Sequence, residues 1–205
     1  KIKGFTKETE DDFICEFEDG QMFRISAKGS EQKVRGLKWN NRRPDLIVCD
    51  DLENDEIVMN KERRDKFKRW FYGALLPCMS HNGIIRYVGT ILHNDSMLES
   101  LMPKYSAKDT VHEPLKTYST KLNPGWLSYK YRAHTEDFSS ILWPEHYNKE
   151  WFIATRADFI DKGIPDVYSQ EYLNQPLDES VAFFKRSDFL PIKKEHKDVN
   201  LVYYI

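Results

Sequence analysis

Hydrophobic positions change their period along the chain, and the changes mark out its elements. Over residues 12–28, Phe13, Cys15 and Phe17 alternate with more polar residues, and Phe23, Ile25 and Ala27 alternate on the return. Asp19-Gly20 lies between the two runs, so period two with an Asp-Gly step predicts a β-hairpin. Residues 29–44, rich in Lys, Arg and Asn, predict a polar loop. The unbroken run Leu46-Ile47-Val48-Cys49 then ends in Asp50-Asp51. Four apolar residues without alternation predict a strand covered on both faces, as in a parallel sheet. Over 60–79 the period lengthens. Phe67, Trp70, Phe71, Ala74, Leu75 and Cys78 recur at three- and four-residue spacing, which predicts one long amphipathic helix.

After a turn at His81-Asn82-Gly83, Ile84–Val88 predicts a second apolar strand that stops at Gly89-Thr90. Asp95 or Ser96 caps a short helix carrying Met97, Leu98, Leu101 and Met102. Strand, helix, strand, helix is the α/β order. Residues 111–147 mix Tyr, Trp, Pro and Gly without a period and predict short strands and loops. A helix capped by Asn148 and ended by Gly163 follows, then one opened by Pro165 that stops before Pro176. Leu201–Ile205 predicts a final strand.

Composition narrows the class. The 205 residues are 40% hydrophobic and 14% aromatic, enough for a packed core. Charged residues make up 31%, yet the formal net charge is -2. That balance argues against a small module coating DNA by charge alone. Cys15, Cys49 and Cys78 form no CxxC pair, and the six histidines show no HExxH spacing, so neither a disulfide framework nor a zinc site is indicated. No apolar stretch approaches the ~20 residues that span a bilayer, so no membrane association is expected. Lys1-Ile2-Lys3-Gly4 is not a signal peptide, and the absence of an initiating Met is expected of a fragment or processed chain.

Candidate chemistry concentrates in Asp45-Leu46-Ile47-Val48-Cys49-Asp50-Asp51-Leu52-Glu53. Ligands of open α/β sheets bind beyond the carboxyl ends of the strands, where these acids would sit. In a nucleotide-hydrolysing enzyme one carboxylate at that place holds Mg2+, usually through water, and a second polarises the attacking water. Asp50 suits the first role. Asp51 or Glu53 suits the second, and spacing favours Asp51. Gly89-Thr90 would set a small hydroxyl residue at the tip of a neighbouring strand, within reach of a γ-phosphate. The plainer alternative is that the acids open a helix and complement its dipole.

The order Val34-Arg35-Gly36-Leu37, then Arg43-Pro44-Asp45-Leu46-Ile47-Val48-Cys49-Asp50-Asp51-Leu52-Glu53, resembles the Walker B region of bacteriophage terminase large subunits. Arg63 and Arg64 leading to Trp70-Phe71, Leu76-Pro77, Gly83-Ile84-Ile85 and Gly89-Thr90 with His93 agree in order and spacing. Leu142-Trp143-Pro144-Glu145 and Tyr168–Pro176 look like the linker region of the same family. The resemblance implies a partial P-loop (ASCE-type) NTPase: a parallel sheet with flanking helices over 1–110, a linker subdomain over 111–190, and the start of an RNase H-like nuclease over 191–205. It implies an ATP-driven motor that moves double-stranded viral DNA into a procapsid. Its partners would be the portal protein and the small terminase subunit, its form a homo-oligomeric ring, its place the cytoplasm of the infected bacterial host, docked on the procapsid portal. Asp50 would be the Mg2+-associated acid, Asp51 the catalytic carboxylate with Glu53 as rival, Gly89 and Thr90 the coupling motif, and Arg35 an arginine finger.

The sequence also departs from that family. It holds no GxxxxGK[ST] loop, which in the family lies upstream of where this sequence begins, so little ATP binding is expected from the chain alone. The residue after the Mg2+ acid is Asp rather than the more usual Glu, and no nuclease Asp follows the 201–205 run. Two other classes remain open: a metal-dependent nuclease built on Asp45, Asp50, Asp51 and Glu53, or a non-enzymatic DNA-binding or capsid-adaptor module using the basic 61–68 face and Lys193-Lys194.

Overall fold

The structure, a computed structural model, describes residues 1–102, 108–122 and 125–177. The expected strand at 201–205, the expected nuclease start at 191–205 and Lys193-Lys194 lie outside the described residues. The chain divides into two compact units, one of residues 1–111 and 117–130, the other of 112–116 and 131–205. The architecture is mixed α/β with small sheets.

The first unit begins with three antiparallel strands in sequence order, β1 (Ile2–Glu8), β2 (Asp12–Phe17) and β3 (Met22–Ser26). β2 and β3 are the expected hairpin, paired from Asp12↔Ser26 to Glu16↔Met22. Gly20 at φ +79 makes the turn, where a side chain would be strained, and the Asp19 carboxylate accepts from Gln21 N at 3.0 Å. β1 has no clean signal in the sequence. Its register against β2 slips twice, between Ile2 and Gly4 and between Phe5 and Lys7, and each slip breaks the period-two pattern. One sheet face carries Phe5, Phe13, Cys15, Phe23 and Ile25. The other carries Asp12, which accepts from Arg24 Nε at 2.7 Å and also pairs with Lys7. The Arg24 guanidinium, then Lys7, holds the Asp12 carboxyl well below the usual range.

β4 (Leu46–Asp50) and β5 (Ile84–Val88) pair in parallel, Leu46 beside Ile84 through Asp50 beside Val88. Between them run α1 (Asp55–Met59), capped by Asn54, and α2 (Lys61–Trp70), capped by Asn60. The expected helix over 60–79 is not uniform: it passes into a π-turn at Phe71–Leu75 and a 3-10 turn at Leu76–Cys78. Pro77 is the cause, since it lacks an N–H and its ring crowds the carbonyl four residues back, that of Gly73. The apolar stripe is kept. Phe67, Phe71, Leu75 and Cys78 are buried with Val34, Cys49, Ile57 and Met97 in one core.

The expectation of a strand covered on both faces is corrected. Ile47 and Cys49 on β4, and Ile85 and Tyr87 on β5, turn toward the helices. Leu46 (57% exposed), Val48 (63%), Ile84 (50%) and Val88 (61%) form the opposite face, open among the described residues. One helical layer covers one face of a two-stranded sheet, so the apolar run reads as doubly buried while only half of it is.

α3 (Met97–Ser100) follows, capped by Ser96, whose Oγ accepts from Glu99 N at 3.1 Å. β6 (Thr110–Glu113), β7 (Lys116–Ser119) and β8 (Tyr129–Tyr131) make a third sheet in that order. The second unit contains α4 (Lys149–Asp161), capped by Asn148, and α5 (Pro165–Leu173). Gly163 follows α4 at φ +74, and Asn174 ends α5 at φ +52. Both helices pack around His134, which is fully buried. His134 Nδ1 lies 2.7 Å from the Thr135 carbonyl, which can only accept, so Nδ1 carries the proton. Nε2 then accepts from the Tyr168 hydroxyl at 2.8 Å. Burial holds this imidazole below its ordinary pKa and neutral.

Candidate active site at the strand tips

The parallel pairing brings the ends of β4 and β5 side by side. Asp50, the last residue of β4, stands opposite Val88 and is exposed. Asp51 continues the zipper, its N–H donating to the Val88 carbonyl at 3.1 Å. Its φ of +42 is left-handed, a region that Asp tolerates better than most residues. The twist sets the Asp51 carboxylate against Gly89: a Cβ built there would lie 3.1 Å from Asp51 Oδ1. Glycine at this position lets the acid lie against the second strand. Thr90, half-buried, is the next residue. Asp51, Gly89 and Thr90 therefore meet at the strand tips.

Glu53 is buried and engaged. Its Oε1 accepts from Met97 N at 2.7 Å, and its Oε2 accepts from Leu98 N at 2.9 Å and from the Tyr87 hydroxyl at 3.2 Å. It satisfies the first amides of α3 from outside the helix, alongside the Ser96 cap. Burial, then the Glu53 charge, pushes the Tyr87 hydroxyl far above the usual tyrosine range, so Tyr87 remains a donor. Of the two rivals for the catalytic position, Asp51 is exposed and Glu53 is committed to α3.

Arg35 lies apart from this group. Its Nη2 donates to the Gly73 carbonyl at 2.9 Å, the oxygen from which Pro77 withholds an amide. The guanidinium thus stabilises the π-turn within its own chain. His93 also has a local task, its Nδ1 accepting from Asp95 N at 2.9 Å. Burial, then the Arg64 charge, keeps it below its ordinary pKa. Asp95 pairs with Lys68 and with the buried Arg64, which donates to the Val58 carbonyl as well. Sequence spacing gave no sign of these links, because they join segments about thirty residues apart through polar side chains that follow no period.

The crevice among Asp51, Leu52, Glu53, Tyr87, Gly89, Thr90 and Leu98 has no interior room for a water-sized guest. Among the described residues no three His, Cys, Asp or Glu converge to hold a metal. Mg2+ needs only one or two protein carboxylates when water and phosphate fill its other positions; Asp51 lines the crevice, whereas Asp50 continues the open face of β4 with Leu46 and Val48 and is not among the lining residues. The acids do not converge as a two-metal nuclease requires. Asp45 sits at the far end of β4, roughly 15 Å from Asp50 at strand rise, accepting from Ser80 Oγ at 3.0 Å.

Comparison with known protein families, with curated proteins and with solved structures gives no match in any of the three.

Proposed function

We propose that the chain carries the acidic half of an ATPase site of the terminase kind. Asp50 would associate with Mg2+, Asp51 would polarise the attacking water, and Gly89-Thr90 would respond to the γ-phosphate. The finer fold assignment, a partial P-loop NTPase sheet, belongs to the same proposal. So do double-stranded viral DNA, the portal protein, the small terminase subunit, a homo-oligomeric ring and work in the infected host's cytoplasm on the procapsid portal. One observation carries the reading: the Asp51 amide bonded to Val88, which lays its carboxylate against Gly89 beside Thr90. Ligands of open α/β sheets bind beyond the carboxyl ends of the strands, and in nucleotide hydrolysis an acid there holds Mg2+ while another group orients the attacking water. Glu53 is replaced as rival by its bonds to α3, and Arg35 acts as a finger only after leaving Gly73.

No observation favours the nuclease alternative: Asp45 lies at the far end of β4 bonded to Ser80, and Glu53 is engaged by the first amides of α3. The adaptor alternative used the basic 61–68 face and Lys193-Lys194; in that face Arg63, Arg64, Lys66 and Lys68 are paired with Glu56, Asp95, Glu31 and Asp95, and Lys193-Lys194 lies outside the described residues.

Because the sequence holds no phosphate loop, millimolar rather than micromolar binding is expected. In a titration of the isotope-labelled chain with Mg-ATP, the amides of Asp50, Asp51, Gly89 and Thr90 should shift together. Asp50→Asn or Asp51→Asn should reduce the response at least fivefold, and EDTA should abolish it. An unchanged spectrum, or shifts that both variants retain, would refute the assignment.

A further inference from the structure

The segments that leave the two strand tips are fastened to each other away from the tips themselves. On the β4 side the chain runs through Glu53 into α1. On the β5 side it runs from Gly89 through a loop, with Ile91 buried, into α3. Glu53 makes the first fastening, by accepting from the opening amides of α3. Helix α3 returns the contact to the tip, since a Cβ built at Gly89 would lie 3.5 Å from Leu98 Cδ2.

Arg64 makes the second fastening. It belongs to α2 yet is only 8% exposed, and its guanidinium bonds both segments at once. Nη1 donates to the carbonyl of Val58 in α1, and Nε donates to Asp95 Oδ2 at 3.0 Å. Lys68, one turn further along α2, donates to the other oxygen of Asp95. The loop is braced behind that carboxylate, where His93 Nδ1 accepts from Asp95 N at 2.9 Å and the His93 carbonyl accepts from Ser96 N at 3.0 Å. A guanidinium stays charged and is costly to bury, but its donors are fixed at angles that let one side chain span two acceptors. Anchoring the loop to α2 needs no more than Lys68 and Asp95. Joining Val58 to Asp95 needs Arg64.

We infer that Arg64 is a positioning residue for the strand-tip site: by bridging Val58 and Asp95 it sets Asp51 on one segment against Thr90 on the other, and it carries a change at the tips into α2. The inference deepens the ATPase reading and rests on it for the ligand, Mg-ATP.

The test is amide hydrogen exchange followed by NMR on the whole isotope-labelled chain, first without nucleotide. The Asp51 amide, bonded to the Val88 carbonyl, reports on the tips, and the Ile84 amide, bonded to the Asp45 carbonyl, reports on the far end of the same sheet. Arg64→Lys keeps the charge but cannot span both acceptors, and Asp95→Asn removes the charge from a half-exposed side chain that the fold tolerates losing. Each should speed Asp51 exchange roughly tenfold while changing Ile84 exchange less than about twofold. A loss of stability alone would speed both amides alike. Arg63→Ala, which removes only an exposed pair with Glu56, should leave both rates unchanged. Mg-ATP is then added. In the parent chain the Lys68 amide should shift together with those of Asp51 and Thr90, whereas in Arg64→Lys the tip amides should shift and Lys68 should not. The inference is overturned by equal acceleration at Asp51 and Ile84, by unchanged Asp51 exchange in both variants, or by a Lys68 response that survives Arg64→Lys. If Mg-ATP shifts no amide of the parent chain, the ATPase reading fails by itself, and the exchange rates still decide whether Arg64 positions the tips.

Discussion

Asp51 and Glu53 are two residues apart and chemically alike, yet their surroundings give them opposite work. Glu53 fills its carboxylate with two amides and a phenol in a buried place, where losing it leaves all three donors unsatisfied. Glu53→Ala should therefore cost about 3 kcal/mol in urea unfolding, whereas Glu53→Gln, which keeps one acceptor oxygen, should cost about half of that. Equal costs for the two would mean that packing alone matters there. The cysteines show the same dependence on place. Burial, and the neighbouring Cys78, pushes the Cys49 thiol up to about 11, and burial raises Cys78 too. Both are core side chains, as their apolar flanks suggested.

At the scale of elements, β4 has a face that matters to folding and a face that does not within this chain. Ile47→Thr puts a hydroxyl against the core and should cost about 2 kcal/mol. Val48→Thr, on the open face, should change the urea midpoint by less than about 0.5 kcal/mol. Similar losses at both positions would show that something covers Val48 in solution. The strand itself was legible because four consecutive apolar residues outweigh any local breaker. Its half-exposure was not, since a continuous run looks the same whether one layer or two lies over it. Hairpin, caps and helix ends were also legible, because Asp19-Gly20, Asn148, Gly163 and Pro165 act on their immediate neighbours. β1 was hidden by its bulges, and the π-turn by a proline whose effect depends on the carbonyl four residues earlier. Of the candidate site, the sequence pointed to Asp50, Asp51, Gly89 and Thr90 as strand-end residues. The engagement of Glu53 with α3, and of Arg35 with Gly73, depends on contacts across more than thirty residues and left no pattern to find.

Across the whole molecule, the shifted histidines and aspartates all act on acid stability in one direction. His93 in the first unit and His134 in the second are both held below the ordinary histidine pKa by burial. The unfolded chain then takes up protons first, so stability is full above about pH 6.5 and declines as pH falls below it. Asp12, Asp95 and Asp137 are lowered by their hydrogen-bond partners, Asp137 to about 2 by Thr135 and Ser139. Their contribution is present above about pH 4 and is lost as the pH drops further. Urea midpoints should thus fall in two stages, one beginning near pH 6.5 and one near pH 4. A flat profile between pH 7 and pH 5 would show that neither histidine is held neutral.

The left-handed backbone at Asp51 sets durability against chemistry at a single residue. Glycine would occupy that conformation with less strain, while alanine would meet the steric penalty without any carboxylate to justify it. Asp51→Gly should melt at or above the temperature of the parent chain and Asp51→Ala below it, with both deaf to Mg-ATP. Any selection for heat resistance alone would drift toward glycine here, so an acid kept at this bend under such selection would record a demand other than folding.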